Sequence, residues 1–171
     1  SVASYKSRLH DPTHPFEFID TEDDFDRMVV ELEGRTKLNK ATGNQECHEL
    51  AIDLEHHSLR SFQGFTCLMQ LSTREKDWIV DTIALRCEMH RLNQVFTDPN
   101  VVKVMHGCRN DVLWLQKDFG LYLVNVFDTY FAAKALEYPH LSLRYLLKRY
   151  CSVDIDKQYQ TADWRIRPLS K

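Results

Sequence analysis

The chain has 171 residues, 43% of them hydrophobic and 27% charged, which suits one soluble domain with a sizeable core and excludes a disordered or fibrous polypeptide. No apolar run approaches the roughly 18 residues of a membrane span, so a membrane role is not expected. The net charge of −3 gives no general affinity for nucleic acid, but residues 144–171 carry 7 basic and 3 acidic groups, against 6 and 11 in residues 1–50.

The first 16 residues hold two prolines and few apolar groups, and read as an N-terminal arm before a domain over 17–171. Thr21 then caps a helix in which Phe25, Met28, Val29 and Leu32 recur at helical spacing. A polar loop with two glycines is expected over 34–47. Three strands follow, at 49–55, 65–72 and 77–81, joined by connections short enough for antiparallel neighbours. The pattern then changes to a helix near 85–96, a buried strand at Val101–Met105 and a helix near 110–118 stopped by Gly120. A short strand at 122–127 and helices near 128–137 and 142–150 complete the chain. Antiparallel strands followed by alternating β and α segments predict an α/β mixed sheet with helices on its faces.

The first strand carries the chemistry. Alternation along 50–57 sends Ile52 and Leu54 into the core and puts Asp53 and Glu55 together on the opposite face. Paired carboxylates repel unless a cation neutralises them, and hard divalent ions prefer such oxygens. A third acid is sought in Asp111, which follows the buried strand 101–105 and opens the next helix, so the sheet can bring it to face the pair. Read without a metal, an acid pair at a strand end is common, and an Asp at a helix start is usually a cap or dipole partner. Trp114 lies one helical turn from Asp111 on the same face, where an aromatic ring stacks on core residues or on a terminal base. Five scattered cysteines without zinc-site spacing predict free thiols in a reducing compartment. The five glycines form neither a G-x-G-x-x-G nor a P-loop pattern, which argues against a dinucleotide or Walker-type site.

Four segments resemble a known family: 53–62 (Asp-Leu-Glu-His-His-Ser-Leu-Arg-Ser-Phe), 66–73 (Thr-Cys-Leu-Met-Gln-Leu-Ser-Thr), 114–121 (Trp-Leu-Gln-Lys-Asp-Phe-Gly-Leu) and 157–169 (Lys-Gln-Tyr-Gln-Thr-Ala-Asp-Trp-Arg-Ile-Arg-Pro-Leu). They are similar to the ribonuclease D-like DEDD exonucleases, in particular the eukaryotic ones attached to the nuclear RNA exosome. The resemblance runs from about residue 14 to residue 169. It implies a ribonuclease H-like fold and 3′→5′ hydrolysis of single-stranded RNA to nucleoside 5′-monophosphates. It also implies two divalent cations, Mg²⁺ or Mn²⁺, which activate water and stabilise the leaving oxygen. Exosome proteins as partners and a nuclear location follow from the same likeness.

By position, Asp53, Glu55 and Asp111 match the family's catalytic and metal-binding acids, while His56, Trp114 and Lys157 match residues that hold the terminal nucleotide. The family's third motif is Tyr-x-x-x-Asp on a later helix. Tyr159 and Asp163 have that spacing, but they lie in the segment that precedes the true motif, and Pro168 marks a loop. The third motif is therefore expected beyond Lys171, which leaves the domain cut before its last helices. Such a chain is expected to be impaired or inactive alone, with an uncovered apolar face that favours a dimer. The competing expectation is an inactive nuclease fold that serves as an RNA-binding or scaffold module.

Overall fold

The structure is a computed structural model that describes residues 14–38, 48–59, 61–155 and 162–169. Six strands form one mixed sheet in the order β1-β4-β3-β2-β5-β6. They are β1 (Phe16–Ile19), β2 (His48–His57), β3 (Phe65–Ser72), β4 (Asp77–Asp81), β5 (Val101–Met105) and β6 (Val126–Asp128). The β2–β3 and β3–β4 pairs are antiparallel, and β1–β4, β2–β5 and β5–β6 are parallel. Helices α1 (Glu22–Leu38), α2 (Asn93–Phe96) and α3 (Arg109–Phe119) pack with the sheet's apolar face, and α4 (Thr129–Ala135) and α5 (Leu143–Leu146) follow β6.

Local chemistry accounts for most of these boundaries. Thr21 accepts a hydrogen bond from the Asp24 amide at 3.3 Å, and Glu22, Asp23 and Asp24 place negative charge at the positive end of α1. Phe25, Met28, Val29 and Leu32 are all buried, as their spacing predicts. Helix α1 runs on to Leu38 where a loop was expected, because a lone glycine at 34 costs only about 1 kcal/mol in a helix. Strand β1 was also not foreseen: only Ile19 of its four residues is buried, too short a pattern to read as a strand.

The chain over 82–96 keeps its predicted apolar spacing but not one continuous helix. It forms turns, a 3₁₀ segment (Met89–Leu92) and then α2, with Leu85, Met89, Leu92, Val95 and Phe96 in the core. Asp81 draws the first turn back by accepting from the amides of Ile83 and Ala84 at 3.0 and 3.1 Å. Gly120 ends α3 as expected: its φ of 63° is left-handed, and the Leu121 amide reaches back to the Leu115 carbonyl at 3.1 Å. β6 begins at Val126, later than expected, and α5 gives way to a π-type turn over Leu147–Cys151.

The sheet has two unlike faces. Leu50, Ile52 and Leu54 enter the core, whereas Ala51 and Asp53 are open to solvent and Glu55 is half-buried. The acids stand on that second face.

Candidate active site

β2 holds the first two acids in place through its neighbours. Asp53 sits opposite Gln70 of β3, and Glu55 opposite Leu68. The next pair is His56 with Thr66, so Cys67 is an extra residue in β3, a bulge that increases the local bend. Asp111 occupies the first turn of α3.

Each of the three acids feels its neighbours. Burial first, then the charges of Asp53 and Asp111, push Glu55 from 4.5 up to about 7. Burial first, then the charge of Asp53, push Asp111 up to about 6. Asp53 is itself raised by lost hydration, although the nearby His106 opposes this. Asp53 has an accessible edge but lies in a cleft where protein replaces much of its surrounding water. Among the described residues, none of these acids is ion-paired to Lys or Arg. Repelling carboxylates with no basic partner are a donor set that suits a hard divalent cation. The side chains do not stand as a closed cage, for no group of three or more His, Cys, Asp or Glu among the described residues is arranged to hold an ion.

The cleft beside Asp53 measures about 250 Å³ and is lined by Gln70, Ser72, His106, Thr129 and Leu143 among others. Its polar side chains can engage a phosphate or sugar. The sequence reading missed His106, Gln70 and Thr129. Gln70 was recoverable in principle, since antiparallel register with β2 puts it across from Asp53.

His56 of β2 and Trp114 of α3 meet. Their rings stack at 4.0 Å with 9° between planes, so the imidazole covers one face of the indole. His56 Nε2 is buried without a hydrogen-bond partner. Burial and the Lys117 charge lower its pKa, which favours the neutral ring. Gly64 is what lets the β2–β3 connection close on this ring: its φ is +63°, and a Cβ there would lie 2.1 Å from His56 Cε1. The Lys117 ammonium holds the same turn by donating to the carbonyls of Gln63 and Gly64, each at 2.9 Å.

Lys157 and Tyr159 lie outside the described residues. Asp163 is described and stands apart from the three acids. Arg165 grips it with two hydrogen bonds of 2.8 and 2.7 Å, and His57 Nδ1 is 3.7 Å away. These contacts hold its carboxyl well below the usual range.

The 3'-5' exonuclease family matches residues 16–171. Exosome complex component 10 of Homo sapiens is 57% identical over 142 residues, which is 83% of this chain and 16% of that protein. Exosome complex exonuclease RRP6 of Saccharomyces cerevisiae is 50% identical over 154 residues, 90% of this chain and 19% of that one. The chain thus spans less than a fifth of these curated relatives. The catalytic core of RRP6 from Trypanosoma brucei superposes with a TM-score of 0.83 at 49% identity, covering 92% of this chain and 40% of that one. Escherichia coli RNase D, at 21% identity and a TM-score of 0.76, shares the fold. The chain belongs to the 3'-5' exonuclease family, in the branch of exosome component 10 and RRP6.

Proposed function

We propose that this chain acts as a metal-dependent 3′→5′ exoribonuclease domain, releasing nucleoside 5′-monophosphates from single-stranded RNA. The observation that carries the reading is the group Asp53, Glu55 and Asp111: three carboxylates raised first by burial and, at Glu55 and Asp111, also by neighbouring acids, with no Lys or Arg ion pair among the described residues and with Asp53 bordering a cleft. Its relatives are named as exosome components, which supports RNA as substrate, exosome proteins as partners and the nucleus as location.

Asp53, Glu55 and Asp111 would hold two divalent cations, Mg²⁺ or Mn²⁺. When bound, such ions supply a nucleophile at neutral pH and charge stabilisation in the displacement at phosphorus. The chain's own residues do the rest. His56 and Trp114, stacked on each other, would form an aromatic wall for the terminal nucleotide. Lys157, outside the described residues, would supply positive charge to the same nucleotide by its place in the family's sequence pattern. Aromatic surfaces tolerate any base, as degradation of varied RNA requires. Gln70 and Ser72 offer neutral hydrogen bonds that orient the sugar and phosphate without adding charge.

The test is cleavage of 5′-labelled single-stranded RNA in Mn²⁺, beside Asp53→Asn. Expected is a slow ladder shortening from the 3′ end, absent in the variant; slow, because the described acids do not close into a cage and Asp163 is engaged elsewhere. A second reading, an RNA-binding module without catalysis, is favoured by that same open arrangement. RNA binding without cleavage at any metal concentration decides for it. Cleavage that survives Asp53→Asn overturns the proposed site.

A further inference from the structure

Helix α3 carries Asp111 but lacks a cap of its own, since the side chain of Cys108 at its N-terminus caps nothing. The missing acceptor arrives from another element. Asp128, at the end of β6, accepts from the Gly107 amide at 2.8 Å through Oδ1 and from the Cys108 amide at 3.0 Å through Oδ2. The same Oδ1 accepts from the Tyr130 amide at 2.8 Å, the start of α4. One carboxylate therefore ties together the beginnings of two helices. These bonds hold its pKa down although burial opposes them, so it is ionised at neutral pH.

The next residue extends the grip. The Thr129 hydroxyl donates to the Met105 carbonyl at 3.0 Å and lies 2.9 Å from His106 Nδ1. A hydroxyl has one hydrogen, and Met105 takes it, so Thr129 Oγ1 accepts from His106 Nδ1–H. That sets the ring's tautomer and fixes the orientation of His106, which lines the cleft that also borders Asp53. Two adjacent residues thus hold the whole turn from Met105 to Cys108.

We propose that Asp128 and Thr129 are positioning residues of the catalytic centre. They set the β5–α3 turn, and through it the Asp111 carboxylate and the His106 ring, relative to Asp53. The inference rests on the nuclease reading above. Its physical basis is that groups supporting a metal's ligands commonly change metal affinity or activity by about 10–100-fold when lost.

The experiment is a Mn²⁺ titration of the melting temperature, with RNA cleavage kinetics beside it, on wild type, Asp128→Asn, Thr129→Val, Thr129→Ser and Asp53→Asn. In Asp128→Asn an amide N–H₂ replaces one acceptor at Gly107 or Cys108, so the Mn²⁺ midpoint is expected to rise about 10-fold, with kcat falling similarly and KM nearly unchanged. Thr129→Val is expected to raise the midpoint about 3-fold, and Thr129→Ser, which keeps the hydroxyl, restores it. Should Asp128→Asn fail to fold, the Val and Ser pair at 129 carries the test alone. A wild-type response that is lost in Asp53→Asn but unchanged in Asp128→Asn and Thr129→Val overturns this inference and leaves the nuclease reading standing. No Mn²⁺ response in wild type overturns both.

Discussion

Glu55 shows what crowding acids on one strand does to a single residue. Its carboxyl keeps a proton up to about 7 in the folded protein, against 4.5 as an isolated side chain. A raised carboxylate pKa means that the folded state binds the proton more tightly than the unfolded state. The penalty is absent below the unfolded value, grows as pH rises between the two values, and is complete above the folded one. Glu55→Gln removes the penalty. Discounted for the half-exposed position, the variant is expected to be more stable by on the order of 1 kcal/mol at about pH 8.5, with no gain at about pH 4. Urea unfolding at the two pH values measures this, and an equal gain at both would remove repulsion as the cause. The cation proposed for the site is the natural relief for this strain, so wild type should recover the difference when Mn²⁺ is added.

Among the elements, the segment over 162–169 depends on a single arginine. Arg167 binds both oxygens of Asp81, at 2.9 and 2.5 Å, and donates to the carbonyls of Cys67, Trp164 and Ile166. Asp81 is itself buried and also caps the turn after β4. Arg167→Met strands that charge, and a loss of about 3 kcal/mol is expected from the broken buried pair. Trypsin should then cut rapidly at Arg165, and equal cleavage rates in wild type and variant would count against the strap. The contact also explains how the strap segment contributes: it ties a long-range loop to the bulged end of β3, close behind His57. Its Asp163 is held within the segment by Arg165 and faces His57 Nδ1 at 3.7 Å, while Tyr159 lies outside the described residues.

At the scale of the molecule, the sheet is apolar on one face and unevenly covered on the other. Phe127, Phe131, Leu136, Leu143 and Tyr150 are between 38% and 65% exposed, too much apolar surface around α4 and α5 for an isolated chain to leave in water comfortably. Self-association through this region is expected at tens of micromolar, with light scattering giving a dimer mass; a clean monomer mass would count against it. Among the described residues no helix is long and apolar enough to cross a membrane.

Much was legible in the sequence because it depends on periodicity and local chemistry. The bounds of β3, β4 and β5 follow from short apolar runs between turn signals, and the Gly120 stop follows from its left-handed backbone. The side on which Asp53 and Glu55 stand follows from strand alternation alone, and the family from long specific words. Other features needed the fold. β1 is a strand only because β4 is there to pair with it. His106, Gln70 and Thr129 share a cleft with Asp53 because parallel β5 and antiparallel β3 flank β2, a register that no single segment encodes. Asp128 reaches the base of α3 from 20 residues away or more. Alternation and capping act over a few neighbouring residues, so a sequence displays them directly. The meeting of distant side chains depends on how the sheet orders its strands, and only the tertiary structure decides that.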